Sequence, residues 1–191
     1  MARAATKAEQ QAFIHKMWTN IAGLDLQGLF PSVLIAQAAK ESGWGLSALA
    51  QPPNNNVFSV TKGSGWKGKT VEMKDNHNGK MYTFRVYNSW QQSIDDRNRL
   101  LLSASRYVKA RTAATPEEQA RALQAAGYAE SATYADSLIN NYIVPYSLKR
   151  YDELKKKIMN NKTLSTIMIV AGAIIAAIGI YNVANLSKYL K

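Results

Sequence analysis

The segment Gln37-Ala-Ala-Lys-Glu-Ser-Gly-Trp-Gly45 holds the chemistry-bearing residue that stands out first. Glu41 closes an apolar helical run that begins near Phe30, and Gly43 and Gly45 stop the helix just beyond it. A carboxylate at that point is half buried and faces whatever cleft the chain turns into. Burial disfavours the ionised form, so the pKa rises and the group holds a proton near neutral pH. A general acid needs that property to protonate the oxygen of a departing sugar. The plain alternative is a helix-end glutamate that only touches solvent, so the remaining residues have to decide.

A glycosidase typically sets a second carboxylate across the scissile bond. The next acids along the chain are Glu72 and Asp75. Glu72 falls in a predicted strand, whose fixed backbone would aim it at the cleft. Asp75 borders a turn, where aspartate is usually structural. Asp95 and Asp96 fall in the first turns of a helix, where its dipole favours an acid, and Asp96 is read as structural. Sugars are held by aromatic faces, amides and hydroxyls, and Trp44, Phe58, Trp66, Tyr128 and Tyr134 lie in predicted loops or at helix ends. Phe58 reads as core. Trp44, next to Glu41 in the turn, would wall the cleft and help desolvate the acid. Tyr128 and Tyr134 flank a short loop, from which one would hydrogen-bond an acetamido group or a transition state.

The elements that must position these groups can be read in order. Residues 6–22 form an amphipathic helix with Phe13, Met17, Trp18 and Ile21 on one face. Pro31 opens a second helix that ends at Glu41. Residues 46–69 are rich in loop formers. Val71–Met73 and Met81–Val86 read as strands joined around Asn78-Gly79. Ser89 with Gln92, and Thr115 with Pro116 and Glu118, are capping signals for helices running through Leu102 and to Gly127. Tyr134–Val144 is a further helix broken at Pro145, and a charged helix follows from about Tyr146. The layout is α+β and mostly helical, with a helical lobe, a small β-hairpin lobe and a cleft between them.

Composition bounds the rest. The 191 residues are 47% hydrophobic and 19% charged, which suits one folded domain with an appendage. There is no cysteine, which excludes disulfides and thiolate metal sites, and the two histidines, His15 and His77, lack partners at ligand spacing. Neither a metal nor a cofactor is expected. The net charge is +11, of which residues 155–191 carry +6 without a single acid. The basic residues of the body are dispersed and accompany no nucleic-acid motif, so no nucleic-acid partner is expected.

The stretch from Thr163 to Ser187 has no charged residue, and Leu164–Leu186 as a helix would cover about 34 Å, enough to cross a bilayer. This predicts a basic juxtamembrane helix over 151–162, a transmembrane helix over 163–187 and a short basic tail over 188–191, following a catalytic body over 1–150. The lysines before the span place the body on the cytoplasmic side by the positive-inside rule, and the N-terminus has no secretory h-region. An enzyme for an extracytoplasmic substrate would then suit a bacteriophage. It would sit in a virion membrane or at the host inner membrane, with the bilayer and virion or membrane proteins as partners.

Four segments, in order, carry a family resemblance. Gln37 to Gly45 looks like a catalytic-glutamate motif; Asn55-Asn-Val-Phe58 with Lys62-Gly63 and Trp66-Lys-Gly68 looks like a cleft-lining loop. Phe84-Arg-Val-Tyr87-Asn-Ser-Trp90 with Ser93 and Asp96 looks like a strand-to-helix signature, and Gly127-Tyr-Ala with Tyr134-Ala-Asp136 looks like a tyrosine loop. Residues 11–150 thereby resemble the family 73 glycoside hydrolases, bacterial N-acetylglucosaminidases that cut peptidoglycan. The resemblance implies a lysozyme-like fold and peptidoglycan glycan strands as substrate. It implies Glu41 as general acid, Glu72 as the β-lobe carboxylate, and Trp44, Asn56, Trp66, Tyr128 and Tyr134 as substrate-binding residues. Glu72 would activate water or support positive charge, unless the substrate acetamido group acts as nucleophile. One departure is Ser59, where the family usually has glycine. A muramidase or lytic transglycosylase on the same scaffold, and a wall-binding protein with decayed catalysis, are the rival readings.

Overall fold

The computed structural model of the chain describes residues 3–74 and 79–161. Helices α1 (Lys7–Ile21) and α2 (Pro31–Ser42) precede a hairpin of β1 (Thr70–Lys74) and β2 (Met81–Arg85). Then come α3 (Trp90–Ser103), a 3-10 turn, α4 (Val108–Arg111), α5 (Pro116–Ala125), α6 (Tyr134–Leu138), a π turn (Ile139–Ile143) and α7 (Lys149–Asn160).

The core is organised around α2, in which every residue from Val33 to Ala39 is fully buried. A helix apolar on all sides belongs at the centre of a domain, and each Val, Leu or Ile so buried contributes about 1.5–3 kcal/mol. Its N-terminus needs partners for its free N–H groups, and distant elements supply them. Asp152 of α7 accepts from the Ser32 amide and hydroxyl at 2.8 and 2.7 Å, and Gln119 of α5 accepts from Phe30 N–H at 2.9 Å. At the other end Gly43, Trp44 and Gly45 all have positive φ (56°, 61° and 77°). Glycine takes that conformation freely, whereas a bulky residue is strained by it. At Gly45 a Cβ would also meet the Trp90 ring at 2.8 Å.

The hairpin is antiparallel with Glu72 opposite Thr83, and Thr61 bridges to Phe84 beside it. Asp96 fastens it to α3: one carboxylate oxygen accepts from Arg85 and from the Tyr87 hydroxyl, each at 2.7 Å. The expected turn around Asn78-Gly79 falls partly, and Asp75 wholly, outside the described residues.

Three differences from the sequence expectations have physical causes. The helix expected over Tyr134–Val144 widens after Leu138 into a π turn, with Val144 N–H bonding Ile139 O and Leu148 N–H bonding Ile143 O across five residues. The 3-10 turn and α4 come from a stretch without a strong cap. The third difference corrects the fold class. Among the described residues no helix is long and apolar enough to cross a membrane. The last described helix, α7, has 12 residues, about 18 Å, and is strongly charged, too short and too polar for a bilayer. It docks on the body through Asp152 and through Lys155, whose ammonium donates to Ala22 O at 2.8 Å and to Leu24 O. The described architecture is therefore a mostly helical α+β domain with one two-stranded sheet and no spanning helix. The span expected over 163–187 lies outside the described residues, and nothing within them supports a bilayer or virion partner.

Candidate active site

Glu41 sits in the last turn of α2 and is half buried. Burial pushes its carboxyl above the ordinary glutamate value, while the neighbouring Tyr134 hydroxyl and the charge of Lys40 pull the other way. Lys40 itself donates to Ser137 of α6 at 3.2 Å and lies 5.8 Å from the Tyr134 ring centre. The acid is thus raised, the direction a proton donor requires, and neighbouring groups limit the rise.

Tyr134 is buried at the start of α6, where its hydroxyl accepts from Gln37 Nε2 at 3.1 Å and reaches Glu41. Gln37 lies one helical turn before Glu41 on the same helix, so the pair share a face. Tyr128 stacks obliquely on Tyr134 with ring centres 5.8 Å apart. The buried guanidinium of Arg97 lies beside the Tyr128 hydroxyl. Burial holds both tyrosine hydroxyls well above their ordinary range, so each stays protonated and able to donate.

Trp44 packs against Phe13, Tyr142 and Tyr146 at 5.9, 5.5 and 4.6 Å between centres. This aromatic cluster offsets the strain of its left-handed backbone and keeps part of the indole at the surface. Tyr142, in the π turn, feels the charge of Glu41 and is half buried. On the opposite side, the Ser59 hydroxyl donates to the backbone carbonyl of Glu41 at 3.0 Å. Ser59 has φ 51°, the conformation in which glycine costs least, so its hydroxyl bond tethers the backbone of the acid at the cost of backbone ease.

The β-lobe residues stand apart from this group. Glu72 is exposed on β1, and the groups acting on the Glu41 carboxyl do not include it. Trp66 donates from its indole to Lys69 O at 2.9 Å, with the Tyr87 ring at 5.4 Å and the Arg85 guanidinium at 4.9 Å from its ring. Asn56 departs from its expected role as a sugar-contacting residue. It is fully buried, and its amide donates to Val60 O and Arg85 O and accepts from Val60 N–H, each at 2.9 Å. It fastens the loop that follows to β2. Among the described residues no group of His, Asp and Glu is arranged to hold a metal ion.

Residues 21–146 match the family model described as glucosaminidase, mannosyl-glycoprotein endo-β-N-acetylglucosaminidase. The chain belongs to the glucosaminidase family. The matched segment contains Glu41, Glu72, Tyr128 and Tyr134, and it carries a glycoside hydrolase domain. The catalytic domain of the autolysin Auto from Listeria monocytogenes is 36% identical and superposes with a TM-score of 0.63 over 79% of this chain and 92% of that one. A probable N-acetylmuramidase of Lactococcus lactis subsp. cremoris is 38% identical over 80% of this chain and 37% of its own length. The exo-glucosaminidase LytG of Bacillus subtilis is 37% identical over 76% of this chain and 55% of its own. The chain thus spans between about a third and about half of these curated relatives.

Three residues of this glucosaminidase-family site carried no role in the sequence reading. Gln37 and Tyr142 sit in quoted or predicted helices, but only the fold brings them to Glu41. Arg97 drew no reading from the sequence, although it falls three residues after Ile94 and four before Leu101, on the buried face of α3. That periodicity was the available signal.

Proposed function

We propose that the chain is a peptidoglycan hydrolase that cleaves the β-1,4 bond after N-acetylglucosamine. The observation that carries this reading is Glu41. It is a carboxyl raised by burial, with the Tyr134 hydroxyl beside it, placed within the segment that matches the glucosaminidase family. Glu41 protonates the leaving oxygen. Trp44 and Tyr142 flank the acid and offer aromatic surface to a sugar ring. Glu72, on the other lobe, is the second carboxylate of a water-activating route; a route in which the substrate acetamido group is the nucleophile does not need it.

Product analysis tests the reading. The full chain and its Glu41→Gln variant are incubated with purified peptidoglycan, and the fragments are reduced and weighed. New reducing N-acetylglucosamine ends, absent with the variant, are the expected result. Reducing muramic ends would make it a muramidase, the activity that the name of the Lactococcus relative carries, and anhydro muramic ends a transglycosylase on the same scaffold. An inactive, well-folded parent, tried on several walls, would leave a wall-binding role.

A further inference from the structure

Arg97 is the largest fully buried side chain in the core, and every acceptor it meets is neutral. One terminal nitrogen donates to Gln37 Oε1, the other donates to Asn98 Oδ1 at 2.7 Å, and the Tyr128 hydroxyl lies within hydrogen-bonding reach. Its Nε has no partner among the described residues, and the Phe58 ring lies 5.6 Å from the guanidinium carbon. A buried cation without a carboxylate against it is costly, and Asn98 or Tyr128 alone would satisfy no more of it than Gln37 does. The contact with Gln37 has a further consequence. Arginine has donors only, so Gln37 must present its carbonyl oxygen to Arg97 and its NH2 to the Tyr134 hydroxyl. That oxygen then accepts from Gln37, and its own proton is left for Glu41.

We propose that Arg97 is a positioning residue for the acid: it fixes the direction of a buried hydrogen-bond chain, Arg97 to Gln37 to Tyr134, so that the Tyr134 proton is always left to point at the neighbouring Glu41 carboxyl. The carboxyl oxygen that accepts from Tyr134 is the carbonyl-like one, and the acid's proton therefore sits on the other oxygen, free for a leaving group. Without Arg97 the glutamine amide is free to turn over, and the Tyr134 proton follows it toward Gln37. The other groups facing the Glu41 carboxyl are Lys40 on its own helix, Tyr142 on the π turn and Tyr128 on the loop after α5; those facing Arg97 are Tyr107, Tyr128 and Tyr134. Tyr128 and Tyr134 both face the two, and only Tyr134 is tied to Arg97 through the hydrogen bonds of Gln37.

The inference rests on Glu41 being the acid, but its test does not need a substrate. In the full chain, carbon-13 NMR of labelled glutamate carboxyls follows the titration of Glu41, assigned by its disappearance in Glu41→Gln. Arg97→Gln and Arg97→Lys are each made in the parent and in a Tyr134→Phe background. Glu41 is expected to titrate at higher pH in Arg97→Gln than in the parent, and Arg97→Lys, still a donor-only cation, is expected to restore the parent value. In the Tyr134→Phe background Arg97→Gln should add no shift, because the chain is already cut. An equal shift in both backgrounds would mean a plain loss of charge and would overturn the proposal, as would no shift in either. Should Arg97→Gln fail to fold, Gln37→Glu takes its place: a carboxylate there keeps a partner for Arg97 and draws the Tyr134 proton away. Its shift should exceed the shift it causes in Tyr134→Phe. The expected titrations in a protein without wall-cleaving activity would sink the proposed function and leave the chain standing.

Discussion

The two carboxylates of this site live in different surroundings. Glu41 ends a helix that is fully buried along most of its length, beside a tyrosine that is itself held from behind. Glu72 stands exposed on a two-stranded hairpin that is fastened to the body through Asp96. A group whose protonation must be tuned needs a dry, fixed environment. A group that meets water or supports charge across the substrate needs reach more than burial. The difference teaches that the helical lobe can tune a carboxyl through burial, whereas the β lobe leaves its carboxylate open to solvent.

That contrast can be broken most directly at the acids. Glu41→Gln should lower wall hydrolysis by at least about a hundredfold with an unchanged melting temperature, since general-acid catalysis contributes 10²–10⁴. Glu72→Gln should lower it less, and an equal loss from both in turbidity assays would put the β lobe on the same footing as the helical one.

A second contrast is mechanical. Leu34→Ala, in the middle of α2, should cost about 2–5 kcal/mol in denaturant unfolding. Asp96→Ala, which strips Arg85 and Tyr87 of their shared acceptor, should cost about 1.5–3 kcal/mol, and it should loosen the hairpin before the core, seen as faster amide exchange in β1 and β2. Met81→Ala on the exposed hairpin should stay within about 0.5 kcal/mol.

The pH behaviour sharpens the comparison. The Glu41 carboxyl is raised, so the acid is lost, and activity with it, as pH climbs through that raised value; Tyr134→Phe removes a stabilising donor and should move this alkaline limb to higher pH. At the far end of the same helix, burial raises Asp152 to about 6 against the opposing donations of Ser32. The folded state binds the extra proton, so this contribution to stability is complete below the unfolded aspartate pKa near 4 and is lost as pH rises through about 6. Asp152→Asn should flatten the melting temperature between those values.

The smallest effect is expected at Ser59→Gly. Relief of the left-handed backbone and loss of the bond to Glu41 O are each worth about 1 kcal/mol. Stability should therefore barely change, and any drop in turnover would report the tether alone.

Local signals were legible where they act over a turn or two. Pro31 and the Gly43-Trp44-Gly45 turn bounded α2, Ser89 and Thr115 capped α3 and α5 as expected, and the hairpin strands fell within a residue or so of their predicted bounds. Asn56 was misread because a polar residue in a loop looks exposed, and only the approach of Val60 and Arg85 shows that its amide replaces missing backbone partners. The π turn that aims Tyr142 was invisible for a related reason: α-helical and π-helical spacing differ by one residue, which packing rather than propensity selects.

The sequence alone determined that an acid ends an apolar helix, that glycines stop that helix and that tyrosines frame a later loop. Capping, backbone freedom and hydrophobic period all act between residues close in the chain. The tertiary structure alone decided which side chains tune that acid. Gln37 meets Arg97 across 60 residues and Tyr134 across 97. Contacts so distant in sequence are set by how α2, α3 and α6 pack around one core, and no local preference of the chain encodes them.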